Sequence, residues 1–290
     1  MTKKSKKVLY FIPFVLPTLI AFTIAFVIPF FQGIYLSFCK FTTVKDAKWV
    51  GTENYTKIFK TTDFTDSLWF TTKFTIVSVI TINVFAFLLA LALTRKVKGT
   101  NIFRTIFFMP NLIGGIVLGY IWNALLNSIL NMMGVSLTTD AKYGFWGLII
   151  LMNWQMIGYM MIIYIAGIQN LPTDVLEAAK IDGATPLQTL FKITIPLVMP
   201  SFTICLFLTL SNSFKLYDQN LALTDGKPGK QTQMVAYNIY YTMYTRNHFE
   251  GVAQAKAVIF FIIVAVLGFI QLGITRSKEV ESLWKRKVQK

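Results

Sequence analysis

Charge is scarce in this sequence, and histidine and cysteine are scarcer. Of 290 residues, 14% are charged and 54% hydrophobic, against roughly 25% charged in soluble globular domains. Six long stretches contain no Asp, Glu, Lys, Arg or His at all: Val8–Cys39, Phe74–Thr94, Thr105–Thr139, Tyr143–Thr173, Ile193–Phe214 and Ala257–Thr275. Ion-coupled transporters normally hold an acid or histidine at membrane depth, so this lack weighs against a secondary transporter. A membrane-embedded enzyme would need an acid, base or metal cluster there, so no catalytic residue and no metal ligand is assigned. His248, the single histidine, falls in a hydrophilic loop and reads as a surface residue. With only Cys39 and Cys205, no disulfide framework is implied. ATP chemistry is disfavoured too, because the loop from Gly226 to Thr232 lacks the G-x4-G-K-[ST] spacing.

What is present is apolar length. Each uncharged stretch can hold the roughly 20 residues that cross a bilayer as a helix. Backbone polar groups in hydrocarbon must be satisfied within the chain, and no alternating barrel pattern appears, so the fold class is all-α: an integral membrane protein with six transmembrane helices. The spans are placed near 10–38, with Pro29 as a kink, then 74–93, 105–126, 145–168, 195–214 and 257–275. The first stretch is too long for a signal-peptide core. Phe38 is too bulky for a lipidation site at Cys39. Lys40–Lys73 is an outer segment rich in Trp49, Tyr55, Phe59, Phe64 and Trp69, suited to short helices at the interface. Lys215–Lys256 is a long outer connection with a turn at Thr224–Gly229.

The net charge of +15 is unevenly spread. With both termini in the cytoplasm, the inner segments carry 16 of the 28 basic residues and 5 of the 13 acids, most clearly at Arg95–Arg104. Attraction to anionic membrane lipid accounts for the basic balance, so no nucleic acid is implied. The organisation expected is a basic cytoplasmic N-terminus at 1–9, a six-helix domain at 10–276 and a basic cytoplasmic C-terminus at 277–290.

Between spans four and five, residues 171–196 read as a cytoplasmic helical hairpin. Thr173 caps a first helix whose opening turn carries Asp174 and Glu177, Gly183 stops it, and Thr185-Pro186 starts a second helix with Leu187, Leu190 and Phe191 as its apolar stripe. Ala178, Ala179 and Gly183 are small enough for another protein to approach. Within the spans, Gln155 and Tyr159 are four apart, as are Thr209 and Ser213, so each pair shares a helix face. Such groups, with Trp154 or Tyr159 stacking, suit a neutral sugar. They equally suit hydrogen bonding between helices.

Glu177-Ala178-Ala179, Gly183 and the later Ile193-x-Ile195-Pro196 resemble the EAA loop of ATP-binding-cassette importer permeases, with Ile195 where Leu is usual. Gly51-x-x-Asn54-Tyr55 and Leu223-Thr224-Asp225-Gly226-Lys227-Pro228 are similar to segments of the maltose and glycerol-phosphate type permeases, with Lys227 replacing a Gly. The likeness runs from about Tyr10 to Arg276. It implies a multi-pass permease of the bacterial cytoplasmic membrane, a heterodimer with a second related permease. Two cytoplasmic ATP-binding subunits would hold ATP and Mg, this chain holding no cofactor, and an extracytoplasmic sugar-binding protein would deliver a sugar or oligosaccharide. Glu177, Ala178, Ala179, Asp182 and Gly183 would dock the ATPase. Asn111, Gln155, Tyr159, Thr209 and Ser213 would face the sugar.

Overall fold

A computed structural model describes residues 13–95 and 98–288, with side chains through Thr275. The basic segment at 1–9, Tyr10 and Lys96 lie outside the described residues, as do residues 289–290. The described residues are helical almost throughout. Helix α1 (Leu16–Ser37) is followed by a two-residue antiparallel ribbon, β1 (Cys39–Lys40) with β2 (Lys48–Trp49), and by α2 (Glu53–Ile58). Next come α3 (Asp63–Leu93), α4 (Thr100–Leu112), α5 (Gly115–Asn131) and α6 (Ala141–Gln169). The remainder is α7 (Thr173–Ile181), α8 (Pro186–Leu197), α9 (Met199–Phe214), α10 (Asp218–Leu223), α11 (Val235–Thr245) and α12 (Glu250–Val288).

Among the described residues four helices are long and apolar enough to cross a membrane: α1, α3, α6 and the Glu250–Thr275 part of α12. Spans three and five, expected as continuous helices, are instead bent pairs, 101° between α4 and α5 and 68° between α8 and α9; counted as one span each, they bring the number to six. The first bend falls at Ile113, whose extended backbone ends α4, and Gly114, which caps α5 from outside the helical region. The second falls at Val198, ahead of Pro200, whose missing N–H suits the first turn of a new helix. The outer segment Lys40–Lys73 carries the short helix α2 and, ahead of it, the β1–β2 ribbon. Asp46, between the strands, accepts the Thr42 and Thr43 backbone N–H groups at 3.0 Å, which holds its carboxyl below the usual value.

Proline acts by the same rule twice. Ile28-Pro29 and Ile195-Pro196 each follow directly on a five-residue π-turn, Thr23–Val27 and Leu190–Thr194, in which the next N–H reaches back five residues, Ile28 to Thr23 and Ile195 to Leu190. The proline ring would crowd the carbonyl four residues earlier in an α-helix, and the wider turn relieves that crowding without ending the helix.

The chain forms two compact units. One joins the segment ending at Phe64 to Ile239–Phe261; the other holds Thr65–Asn238 and the residues from Ile262 onward. In the first, Asn54 is the keystone. Its amide donates to the carbonyls of Ser37 (2.9 Å) and Cys39 (2.8 Å) at the end of α1, while Tyr55 and Ser37 share a hydroxyl hydrogen bond of 2.7 Å. Gly51, at φ +63°, supplies the left-handed turn that brings Asn54 round. A Cβ on Gly251 would overlap the Cys39 carbonyl, so the start of α12 lies directly on this joint.

The core of the second unit is Phe74, Ile82, Leu148, Met160, Tyr164 and Cys205 with their neighbours, from α3, α6 and α9. One polar link crosses it: Tyr164 Oη donates to Asn83 Oδ1 at 2.7 Å, and Asn83 Nδ2 donates to Thr209 Oγ1 at 3.0 Å. Gly158 sits where a Cβ would overlap the Phe107 carbonyl, so α4 and α6 meet backbone to backbone.

Candidate functional site

A cavity of about 470 Å³ opens in the second unit, between the end of α4, the middle of α6, the end of α9 and the start of α10. Asn111, Gln155 and Tyr159 all line it, with Met152 and Met156 between them, and Asn212, Lys215, Asp218 and Gln219 opposite. Asn111 reaches the wall because the turn Met109–Leu112 ends α4 there; its amide donates to the Met156 sulfur at 3.7 Å, a weak acceptor. Gln155 donates to the Ile113 carbonyl at 3.3 Å and accepts from Gln219 Nε2 at 2.7 Å. Tyr159 is half-buried, its ring 6.4 Å from that of Phe108. Trp154, by contrast, is 44% exposed and stacks edge-on with Trp122.

Thr209 and Ser213 are not among the lining residues. Both are fully buried in the packed side of α9, where Thr209 donates to the Cys205 carbonyl at 2.8 Å and accepts from Asn83. Ser213 Oγ is buried with no hydrogen-bond partner among the described residues. Asn212, one position earlier, takes the cavity-facing place on that helix. Lys215, Asp218 and Gln219 were assigned to an outer connection in the sequence. Their signal was the polar run Asp218-Gln219-Asn220 immediately after an apolar span. Asn220 anchors that run: its amide donates to the Thr232 carbonyl at 2.8 Å and accepts from the Met234 N–H at 2.9 Å, tying α10 to the segment that follows the Thr224–Gly229 turn. Within that turn Tyr237 donates to Asp225 at 2.5 Å, and Asp225 pairs with Lys227 at 3.2 Å.

The second candidate region is the hairpin α7–α8. Gly183 takes φ +73° and closes α7: Gly183 N–H donates to the Lys180 carbonyl at 3.1 Å and Ala184 N–H to that of Ala179 at 2.9 Å, the paired pattern of a left-handed helix stop. Thr185 caps α8 with a reciprocal Thr185–Gln188 box and Pro186 in the first turn. The N-cap of α7 is Pro172 rather than Thr173, which stands one place inside the helix. Glu177, Ala178, Asp182 and Gly183 are exposed; Ala179 turns inward and is 5% exposed. Around them stand three bare apolar side chains, Ile181 (87% exposed), Leu187 (67%) and Phe191 (64%), while Leu190 packs against the core. His248 is exposed, and among the described residues no group of His, Cys, Asp and Glu could hold a metal ion.

A bundle of apolar helices, two of them bent around a polar cavity, is the build of a membrane permease. The sequence profile of the binding-protein-dependent transport system inner membrane components matches residues 82–279, and this chain belongs to that family. It is 44% identical, over 97% of its length and 100% of the relative's, to a probable starch degradation products transport system permease of Thermoanaerobacterium thermosulfurigenes. It is 28% identical to a multiple sugar-binding transport system permease of Streptococcus mutans, over 92% and 95% of the two chains. Among solved structures it resembles a chain of a bacterial ABC transporter involved in the import of the acidic polysaccharide alginate, with TM-score 0.79 and 21% identity over 94% and 96% of the chains. The protein is therefore the membrane permease of an ABC importer and not an enzyme.

Proposed function

We propose that the chain forms one half of the translocation path of a sugar or oligosaccharide importer. It pairs with a second, related permease, is driven by two cytoplasmic ATP-binding subunits that hold ATP and Mg, and receives its cargo from an extracytoplasmic sugar-binding protein. The observation that carries the reading is the cavity: Asn111, Gln155, Tyr159 and Asn212 converge on one space and supply amides and a phenol ring, which match the hydroxyls and apolar ring faces of a carbohydrate. The starch-product and multiple-sugar relatives support the same class of cargo. Thr209 and Ser213, behind that wall, reach cargo only after a rearrangement of α9. The hairpin docks the ATPase through Glu177, Ala178, Asp182 and Gly183, and the bare Ile181, Leu187 and Phe191 beside them are what a protein partner would cover. Ala179 spaces α7 from the bundle. Both termini are cytoplasmic in this reading.

Two measurements test it. Co-purification in mild detergent should bring down an ATP-binding subunit and a second permease in stoichiometric amounts, and the complex in vesicles should take up labelled malto-oligosaccharide or another labelled sugar only with ATP. A permease that purifies alone and moves sugar without ATP overturns the assignment. Lys230→Cys should be labelled from outside intact cells and Lys98→Cys should not; the reverse pattern overturns the orientation.

A further inference from the structure

One wall of the cavity is not part of a long helix. The short helix α10 is fastened to α5: a Cβ on Gly115 would lie 2.9 Å from Asp218 Cβ and Gln219 Cδ, and one on Gly119 would overlap Ala222. Asn123 of α5 also donates to the Leu223 carbonyl at 2.6 Å. Two glycines four apart let α10 approach the α5 backbone closely, so the two helices pack as one piece. Toward α6 the far end of this piece is packed, Leu223 lying in the buried core against Gly147, while the cavity-side link is of another kind. There the carboxamide of Gln155 accepts from Gln219 Nε2 at 2.7 Å and donates to the Ile113 carbonyl at 3.3 Å, in the bend between α4 and α5. Gln155 is 8% exposed and Gln219 9%.

We infer that Gln155 and Gln219 form a polar latch holding the α5–α10 piece against α6, and that a sugar hydroxyl entering the cavity inserts between the two amides. Substrate capture and release of the latch are then one event. The chemistry favours this pair over the alternatives. A hydroxyl both donates and accepts, so it satisfies Gln155 Oε1 and Gln219 Nε2 together and leaves neither amide unpartnered. Neutral hydrogen bonds exchange partners with little net change, whereas a neutral hydroxyl could not displace one member of a buried ion pair. Gln219 thus holds the latch in its closed form and meets cargo in its open one, donating to the same hydroxyl that donates to Gln155. This rests on the cavity being the sugar path.

The test uses the assembled importer in vesicles. In the Gln155→Cys/Gln219→Cys double variant, a short bifunctional methanethiosulfonate reagent should join the two thiols and lower uptake at least about tenfold, with reductant restoring it; Cys39 and Cys205 are buried, and the single variants report their background. Separately, Gln219→Leu should raise ATP hydrolysis without cargo by roughly fivefold, the worth of one hydrogen bond, and leave KM for uptake within about twofold, because the variant loses both the latch bond that cargo must break and one bond that cargo would gain. Uptake that continues after tethering, thiols that label singly but never join, or cargo-free ATP hydrolysis left unchanged in an assembled Gln219→Leu complex would each overturn the latch. If instead the unmodified complex imports no sugar, the sugar reading fails before any variant is made.

Discussion

The hairpin α7–α8 and the cavity around Gln155 satisfy their polar groups in opposite ways. The hydrogen bonds that shape the hairpin turn are local, from Gly183 to Lys180, Ala184 to Ala179 and between Thr185 and Gln188, and three of its apolar side chains, Ile181, Leu187 and Phe191, stay bare. The cavity is held by bonds that span 42 residues, from Gln155 to Ile113, and 64 residues, from Gln219 to Gln155. The hairpin therefore owes its shape to its own sequence, and a change there alters what it presents to a partner. The cavity owes its shape to the assembled bundle, and a change there acts on cargo and on the fold together.

The largest expected effect tests the hairpin. Gly183→Leu should cut coupled uptake at least about tenfold with normal membrane insertion, because a left-handed residue with a side chain costs roughly 1–2 kcal/mol and adds bulk to an exposed docking face. No atom lies within 4 Å of a Cβ at Gly183, so the permease itself has room. Gly183→Asn separates the two causes, since Asn tolerates this backbone: uptake restored by Asn assigns the effect to conformation, and uptake still lost assigns it to volume at the interface. Equal, undiminished uptake in both variants would remove the hairpin from the mechanism.

Next in size is Gly158→Ala, which drives a methyl group into the Phe107 carbonyl where α4 meets α6. Overpacking of this kind costs about 1–3 kcal/mol, so the thermal midpoint of the complex in detergent should fall. An unchanged midpoint would mean that α4 slides freely on α6. Asn111→Ala and Tyr159→Ala should each weaken apparent sugar affinity about fivefold, the loss of one hydrogen bond or stacking contact, with assembly intact. Normal affinity in both would place cargo elsewhere. The smallest effect belongs to Ser213→Ala, which should leave affinity within about twofold because the hydroxyl has no partner to lose and does not line the wall. A large loss of affinity there would mean that α9 turns during transport and brings Ser213 to the cargo.

This division also governs what was legible in the sequence. The Gly183 stop and the Thr185-Pro186 start could be read because capping is decided by neighbours in the chain. Apolar length gave the spans, since a bilayer sets it directly. The bends at Ile113–Gly114 and at Val198 were hidden because an apolar stretch reads the same whether straight or broken. The π-turns were hidden because the residues that widen precede the proline that causes the widening. Spacing alone put Thr209 with Ser213 on one face of α9 but could not say that the face meets Asn83 rather than the cavity. Gln219 escaped notice because its role depends on α10 folding back onto α5, a contact that no local pattern announces.

The joint at Asn54 bears on how the protein is made. Asn54 secures the end of α1 as soon as the first 55 or so residues exist, yet the surface that covers this joint begins at Gly251, almost two hundred residues later in synthesis. Elongation at about 5–20 residues per second leaves the half-built unit uncovered for roughly ten seconds or more. During that interval the apolar flank of α1 has only lipid or an insertion factor for company. A chain cut short between Phe64 and Ile239 therefore lacks the segment that closes its first unit, however well α1 and Asn54 have already joined.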